Sequence, residues 1–130
     1  MINRIFKNVC VTGAGSGIGR AIAIAMSNEG YNVTCADINL KQANETLEII
    51  LNNNGSGISI ETDITKINDI ENMILQTVKQ FGTIDILVNN AGVTRTSNIM
   101  DLTEKDWDWI HNVNAKGTFF CLQIAANQMI

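Results

Sequence analysis

The residues of this 130-residue sequence with the clearest capacity for chemistry are Thr12-Gly13-Ala14-Gly15-Ser16-Gly17-Ile18-Gly19. An apolar run, Val9-Cys10-Val11, leads into these glycines, and an alanine- and isoleucine-rich segment comes after them, giving the order strand, loop, helix. Glycines permit a tight turn and let bare backbone approach a pyrophosphate, whose charge is favoured at the N-terminus of the next helix. The expected ligand is a dinucleotide. The strict G-x-G-x-x-G spacing is not met, because from Gly13 or Gly15 the third glycine position falls on Ile18 or Arg20. The pattern that fits is T-G-x-x-x-G-x-G: Thr12-Gly13 ends the strand, Gly17 gives the close approach to phosphate, and Gly19 lets the helix pack tightly on the sheet. Taken alone, the loop can equally be an ordinary strand-to-helix turn.

Four further positions carry functional groups at informative places. Asp37 follows the second apolar run, Tyr31 to Ala36, within the ~20-residue window after a glycine loop where a carboxylate accepts hydrogen bonds from an adenosine ribose. A carboxylate there repels a 2′-phosphate and favours NAD over NADP; the plainer reading is a turn-forming Asp before the next helix. Thr62-Asp63-Ile64 follows a third run, and Asn89-Asn90-Ala91-Gly92 follows Ile86-Leu87-Val88. The two amides and the glycine can bond to a neighbouring strand, to a ligand, or to both. Asn114 interrupts a helical stripe of Trp107, Ile110, Gly117, Cys121 and Ile124. An amide among apolar residues must be hydrogen-bonded, as a buried structural link or as part of a site. Gly117, one turn on, hints at a bend or a close backbone contact.

These groups need a scaffold, and the apolar periodicity supplies one. Strands are expected at Ile5 to Val11, Tyr31 to Ala36, around Ile58 and Ile60, and at Ile86 to Val88. Helices alternate with them, with apolar stripes Ile18, Ile22, Ala25, Met26; Leu40, Ala43, Leu47, Leu51; and Ile67, Ile70, Ile74, Val78, Phe81. Asn39 and Thr103 are in place to cap helices, and Gly30, Gly55 and Gly82 to end them. Regular βαβα alternation predicts a parallel sheet in order 3-2-1-4 with helices on both faces, a three-layer α/β/α domain.

Composition narrows the function classes. Hydrophobic residues make up 45% and charged residues 17%, which suits a sheet covered on both faces. A net charge of −4, with no cluster of Lys and Arg, argues against nucleic acid or an anionic membrane as partner. The first apolar run is too short for a signal-peptide core, so the expected location is cytoplasmic. Three widely spaced cysteines and one histidine, His111, offer no metal-site spacing and no Ser-His pair, so no metal is expected.

Together, Thr12-Gly13, Gly17-Ile18-Gly19, Asp37, Asp63-Ile64, Asn89 to Gly92 and Asn114 resemble, in order and spacing, the N-terminal half of a short-chain dehydrogenase/reductase, over the whole chain. The resemblance implies a truncated Rossmann-type doubly wound sheet with residues 1–130 as the dinucleotide-binding part. It implies that Gly13, Gly15, Ser16, Gly17, Ile18 and Gly19 hold the pyrophosphate, Asp37 the ribose, and Asp63 with the Ile64 backbone the adenine. Asn90, Ala91 and Gly92 then line the cofactor cleft, while Asn89 braces the central strands. Asn114 matches the asparagine of the family's Asn-Ser-Tyr-Lys set, whose helix bends and whose backbone carbonyl holds a water in a proton relay. The family's serine and Tyr-x-x-x-Lys pair lie beyond that helix, and the sole tyrosine, Tyr31, has no lysine four residues on. The implied activity is hydride transfer between NAD and a small alcohol or ketone, of 3-oxoacyl, sugar-alcohol or diol class, in a homo-oligomeric parent, dimer or tetramer. The chain alone is then expected to turn over no substrate; the other reading is a truncated protein that only binds dinucleotide or a partner chain.

Overall fold

The computed structural model of the protein describes residues 7–130. Strand β1 (Asn8–Thr12) leads through the glycine loop into α1 (Gly17–Asn28), then β2 (Asn32–Asp37), α2 (Leu40–Asn52), β3 (Ser56–Glu61), α3 (Ile67–Phe81) and β4 (Ile86–Val88). A short 3-10 turn, Ile99–Asp101, precedes α4 (Glu104–His111), a π-helical turn (Asn112–Gly117) and α5 (Thr118–Met129). The four strands form one parallel sheet in the order β3-β2-β1-β4, with Val9 opposite both Val33 and Ile86. This is the expected Rossmann-type order. The expected first strand begins at Ile5, which lies outside the described residues.

Alternation along the inner strands divides the core in two. Val9, Val11, Val33 and Cys35 point to one face and pack with Ala23, Ala43 and Ile50 from α1 and α2. Cys10 and Ala36 point to the other, against Ile70, Met73 and Ile74 of α3 and Cys121 and Ala125 of α5. Burial on both faces is why these strands read as continuous apolar runs rather than alternating ones. β3, at the sheet's edge, is only half-buried.

The buried helix faces agree with the expected apolar stripes in part: Ile70, Ile74 and Val78 of the α3 stripe and Ala43 of the α2 stripe meet the core, while other stripe residues turn outward. α1 buries Gly19, Ala23 and Ser27, and Ile18 is 74% exposed. α2 buries Ala43, Thr46 and Ile50, while Leu51 is exposed. α3 buries Ile70, Met73, Ile74 and Thr77, leaving Ile67 exposed. Close approach to the sheet selects small residues for the line of contact in α1, and larger ones such as Ile22 and Met26 flank it, half-buried. At Gly19 a Cβ would collide with the Gly13 carbonyl oxygen, so this helix reaches its position only with glycine there.

Asn39 and Thr103 cap as expected: the Asn39 side chain accepts from the Gln42 N–H, and Thr103 forms a reciprocal box with Asp106. The single stripe expected from Trp107 to Ile124 is broken by the π turn. The extra residue of a π turn rotates the helix beyond it by about 100°. Gly117, Cys121 and Ala125 are therefore buried, while Trp107 is 64% exposed and stacks on His111. The close contact expected at Gly117 is with Ile64: a Cβ there would lie 2.8 Å from the Ile64 carbonyl oxygen.

Candidate functional site

The carboxyl ends of all four strands open into one cleft of about 400 Å³. β1 contributes Thr12 and Gly13, and the start of α1 contributes Ser16, Gly17, Ile18 and Gly19. Ala36 and Asp37 end β2, Thr62, Asp63 and Ile64 follow β3, Asn90, Ala91 and Gly92 follow β4, and Val113 reaches in from the π turn. The strand order reverses between β1 and β4, and open α/β sheets bind ligands at such a switch point.

The glycine loop has unusual backbone at two places. Gly13 and Gly17 have φ of +65° and +52°, in the left-handed region that disfavours side chains. Gly17 faces open space, with nothing within 4 Å of where a Cβ would stand. Ser16, the N-cap residue of α1, makes no side-chain cap, so the first N–H groups of the helix lack that partner. Ile18 is exposed because it lies at the cleft's mouth rather than in the core.

Of the loop residues expected to hold the pyrophosphate, Gly15 does not line the cleft. Its N–H donates to Oδ2 of Asp37 at 2.8 Å, and the Asn39 N–H donates to Oδ1 at 2.9 Å. A Cβ on Gly15 would stand 2.8 Å from that carboxylate oxygen and from Gln42 Cβ, so glycine is required for the contact. Asp63 sits across the cleft. Burial raises its pKa, but hydrogen bonds from the Thr65 hydroxyl and N–H, with Lys66 3.8 Å away, outweigh this and hold the carboxyl below its usual range.

Asn90 lines the cleft as expected, but it also takes the bracing role expected of Asn89. Asn90 braces the central strands: its Nδ2 donates to the carbonyls of Thr12 and Gly13, at 3.0 and 3.3 Å, while the residue also lines the cleft. Asn89 is exposed. Successive side chains of an extended segment point to opposite sides, so the two amides do not share a neighbourhood, and it is Asn90 whose side chain reaches the end of β1. Thr12 completes the link, its Oγ1 accepting from the N–H groups of Asn90 and Ala91 at 3.1 and 3.0 Å.

The sequence and the fold have counterparts among known proteins. The family model for short chain dehydrogenases matches residues 7–130. The chain belongs to the short-chain dehydrogenase family. It is 38% identical over 128 residues to the 3-oxoacyl-(acyl-carrier-protein) reductase FabG of Staphylococcus aureus, covering 98% of this chain and 52% of that protein. Among solved structures, a short-chain type dehydrogenase/reductase from Mycobacterium marinum superposes with a TM-score of 0.91 at 29% identity, over 95% of this chain and 50% of the other. The hydroxysteroid dehydrogenase of Escherichia coli does so at 0.90 and 32%, over 95% and 52%. The chain spans about half the length of the curated relatives it matches.

In this short-chain dehydrogenase chain Asn114 is exposed, not buried as an amide in an apolar stripe would be. It still forms a link, its Oδ1 accepting from the Val93 N–H at 2.8 Å and its Nδ2 donating to the Val93 carbonyl at 2.7 Å. That pair ties the π turn to the loop after β4, beside Gly92. The three thiols are all buried, which pushes Cys35 up to about 12, Cys121 up to about 11 and Cys10 higher still, so none is a nucleophile at neutral pH. No group of three or more metal-ligating side chains occurs among the described residues, and no helix among them is long and apolar enough to cross a membrane.

Sequence reasoning missed the residues that hold the loop. Thr46 Oγ1, fully buried on α2, donates to the Ala14 carbonyl at 2.8 Å and lies 2.9 Å from the Arg20 Nε that donates to it. Arg20 Nη2 donates to the Gly15 carbonyl at 2.6 Å and pairs with Glu45 at 3.0 Å. A threonine within a helix carries no local signal that its partner is a loop 32 residues earlier. Only Arg20, directly after Gly19, stood near enough in sequence to draw attention.

Proposed function

We propose that the cleft binds a nicotinamide adenine dinucleotide, NAD in preference to NADP, and serves hydride transfer between that cofactor and an alcohol or ketone. One observation carries the reading: an uncapped helix N-terminus, a left-handed glycine with open space beside it and an unobstructed carboxylate share one cleft. The fit to the cofactor can be judged group by group. Ser16, Gly17 and Ile18 offer backbone N–H groups and the helix dipole to a pyrophosphate, and a side chain at Gly17 would occupy its place. Asp37 uses two of its roughly four acceptor positions on Gly15 and Asn39, leaving two for ribose hydroxyls. A 2′-phosphate would meet that carboxylate directly, hence the preference for NAD. Asp63, kept ionised, and the Ile64 backbone flank the space for adenine, and Asn90, Ala91 and Gly92 border the nicotinamide end.

When bound, the nicotinamide ring supplies the hydride donor or acceptor. The chain's own residues would hold and orient it: Asn90 ties the ends of β4 and β1, and Asn114 fixes the loop from Gly92 to Val93 through both backbone groups of Val93. The likeness to the Staphylococcus aureus 3-oxoacyl-(acyl-carrier-protein) reductase favours a 3-oxoacyl substrate over a sugar alcohol or a diol. Calorimetric titration of the chain with NAD and NADP tests the cofactor. Tighter binding of NAD is expected; equal affinities would overturn the preference, and no binding of either would overturn the reading.

A further inference from the structure

The preference for one dinucleotide rests on Asp37, but nothing in Asp37 alone fixes where its carboxylate points. Its two oxygens accept from Gly15 and Asn39, and Gly15 belongs to a loop built largely from glycine. The Ala14 carbonyl and the Gly15 N–H are opposite edges of one planar, trans peptide group. Thr46 Oγ1 holds the oxygen edge at 2.8 Å, and Asp37 Oδ2 accepts from the nitrogen edge at 2.8 Å. Turning the plane breaks both bonds at once. The next peptide plane is held by Arg20, whose Nη2 grips the Gly15 carbonyl at 2.6 Å while its Nε is fixed on Thr46. The Ala14 N–H is in turn held by the Ala36 carbonyl, one residue before Asp37.

We propose that Thr46 and Arg20 are positioning residues that set the dinucleotide preference, clamping the Ala14–Gly15 and Gly15–Ser16 peptide planes so that the Gly15 N–H holds the Asp37 carboxylate at the cleft edge. The reading rests on the proposed cofactor, yet the clamp itself is visible without any ligand. Thr46 lines no part of the cleft, so its influence on a ligand is indirect, through the Ala14 carbonyl, Arg20 and the Gln42 carbonyl. Loss of the clamp leaves Gly17 and the start of α1 where they are, because Gly19 and Gly13 hold them against β1. The pyrophosphate contacts would then survive while the Asp37 contact slackens.

Thr46→Val removes the hydroxyl at nearly constant volume, and Thr46→Ser keeps it. Amide hydrogen exchange by nuclear magnetic resonance reads the clamp, and calorimetric titration with NAD and with NADP reads the preference. In Thr46→Val the Gly15 amide is expected to exchange about tenfold faster with the Val33 amide unchanged, and the ratio of NADP to NAD dissociation constants to fall about tenfold, the loss of one hydrogen bond to a charged group. Thr46→Ser should restore both. Arg20→Met, on a partly exposed side chain, should shift both readouts in the same direction and serves if Thr46→Val does not fold. An unchanged Gly15 exchange rate would overturn the clamp. Equal weakening of NAD and NADP would reduce Thr46 to a structural role and overturn the proposal. A chain that binds neither dinucleotide fails the cofactor reading instead, and the exchange rates still decide the clamp.

Discussion

Asp37 and Asp85 are two aspartates at opposite ends of one sheet, and each accepts two backbone N–H groups. Asp85 takes those of Lys7 and Asn8 on Oδ2, both at 2.9 Å, and the Thr83 hydroxyl on Oδ1 at 3.1 Å. Around it the polar groups close on one another: Asn8 Nδ2 donates to Thr83 Oγ1, Asn32 Nδ2 donates to Asn8 Oδ1, and the Asp85 N–H returns to the Asn8 carbonyl. This pins β1 to β4 and β2 at their amino ends. Asp37, by contrast, keeps acceptor positions free and faces a cleft, next to helix N–H groups with no side-chain cap. The same chemistry therefore has two outcomes, set by whether neighbouring groups complete it. An amino end that is satisfied internally stabilises the fold, and a carboxyl end left incomplete is available to a ligand.

The sharpest break between the two ends is expected from Gly17→Val. It should weaken NAD binding by about 100-fold or more, because the branched side chain fills the pyrophosphate position, and cost the fold only about 1–2 kcal/mol for a left-handed valine. Titration calorimetry with circular dichroism separates the two effects; unchanged NAD affinity would show that the ligand lies elsewhere.

Asp85→Ala should do the reverse, lowering stability by about 2 kcal/mol through the loss of partners for two backbone N–H groups while leaving NAD affinity alone. Burial raises the pKa of Asp85, but the Lys7 and Asn8 N–H groups and the Thr83 hydroxyl outweigh it and lower the net value. A depressed folded pKa gives stability that is complete above the unfolded value and is lost as pH falls through the folded one. Urea unfolding of the parent chain should thus weaken progressively below about pH 4, and the Asp85→Ala curve should be flatter there. Parallel curves would show that Asp85 contributes nothing to the pH dependence.

Asp37→Ala is expected to be milder. It should bring the NAD and NADP affinities together, a change of about tenfold, with stability shifted by less than about 1 kcal/mol. If Asp37→Ala lowers stability as much as Asp85→Ala is expected to and leaves the NAD preference unchanged, the two ends of the sheet do not differ in function.

The smallest effect offers the cleanest control. Gly17 and Gly82 both have positive φ, +52° and +88°, and neither has an atom within 4 Å of an added Cβ. Alanine at either should cost about 1 kcal/mol for the same reason. Only Gly17→Ala should also weaken NAD binding. Equal binding losses at both positions would mean that the backbone strain, and not the cleft, is being measured.

Much of this contrast was legible in residue order. The strand order, the caps Asn39 and Thr103, and the gathering of Gly17, Asp37, Asp63 and Asn90 at one end of a sheet all follow from periodicity and motif spacing. These features are local, or are forced by parallel topology, which brings every strand's carboxyl end to the same side. The buried face was legible for α3, where Ile70 and Ile74 of the stripe are buried, but not for α1, where the small residues Gly19, Ala23 and Ser27 take the contact line from Ile18 because only the distance of closest approach decides.

The alternation of strands and helices, the dinucleotide-type loop and the chemical identities along the cleft were determined by the sequence itself, since each depends on residues within one or two elements. The tertiary structure decided the rest. It chose Asn90 over Asn89 as the brace, turned Gly15 from a phosphate contact into the partner of Asp37, and put Thr46 behind the loop. It also exposed Asn114 while joining it to Val93. Each of these is a hydrogen bond between groups 21 to 78 residues apart. A hydrogen bond tolerates a few tenths of an ångström, so its partners are fixed only when packing has set the distance between elements.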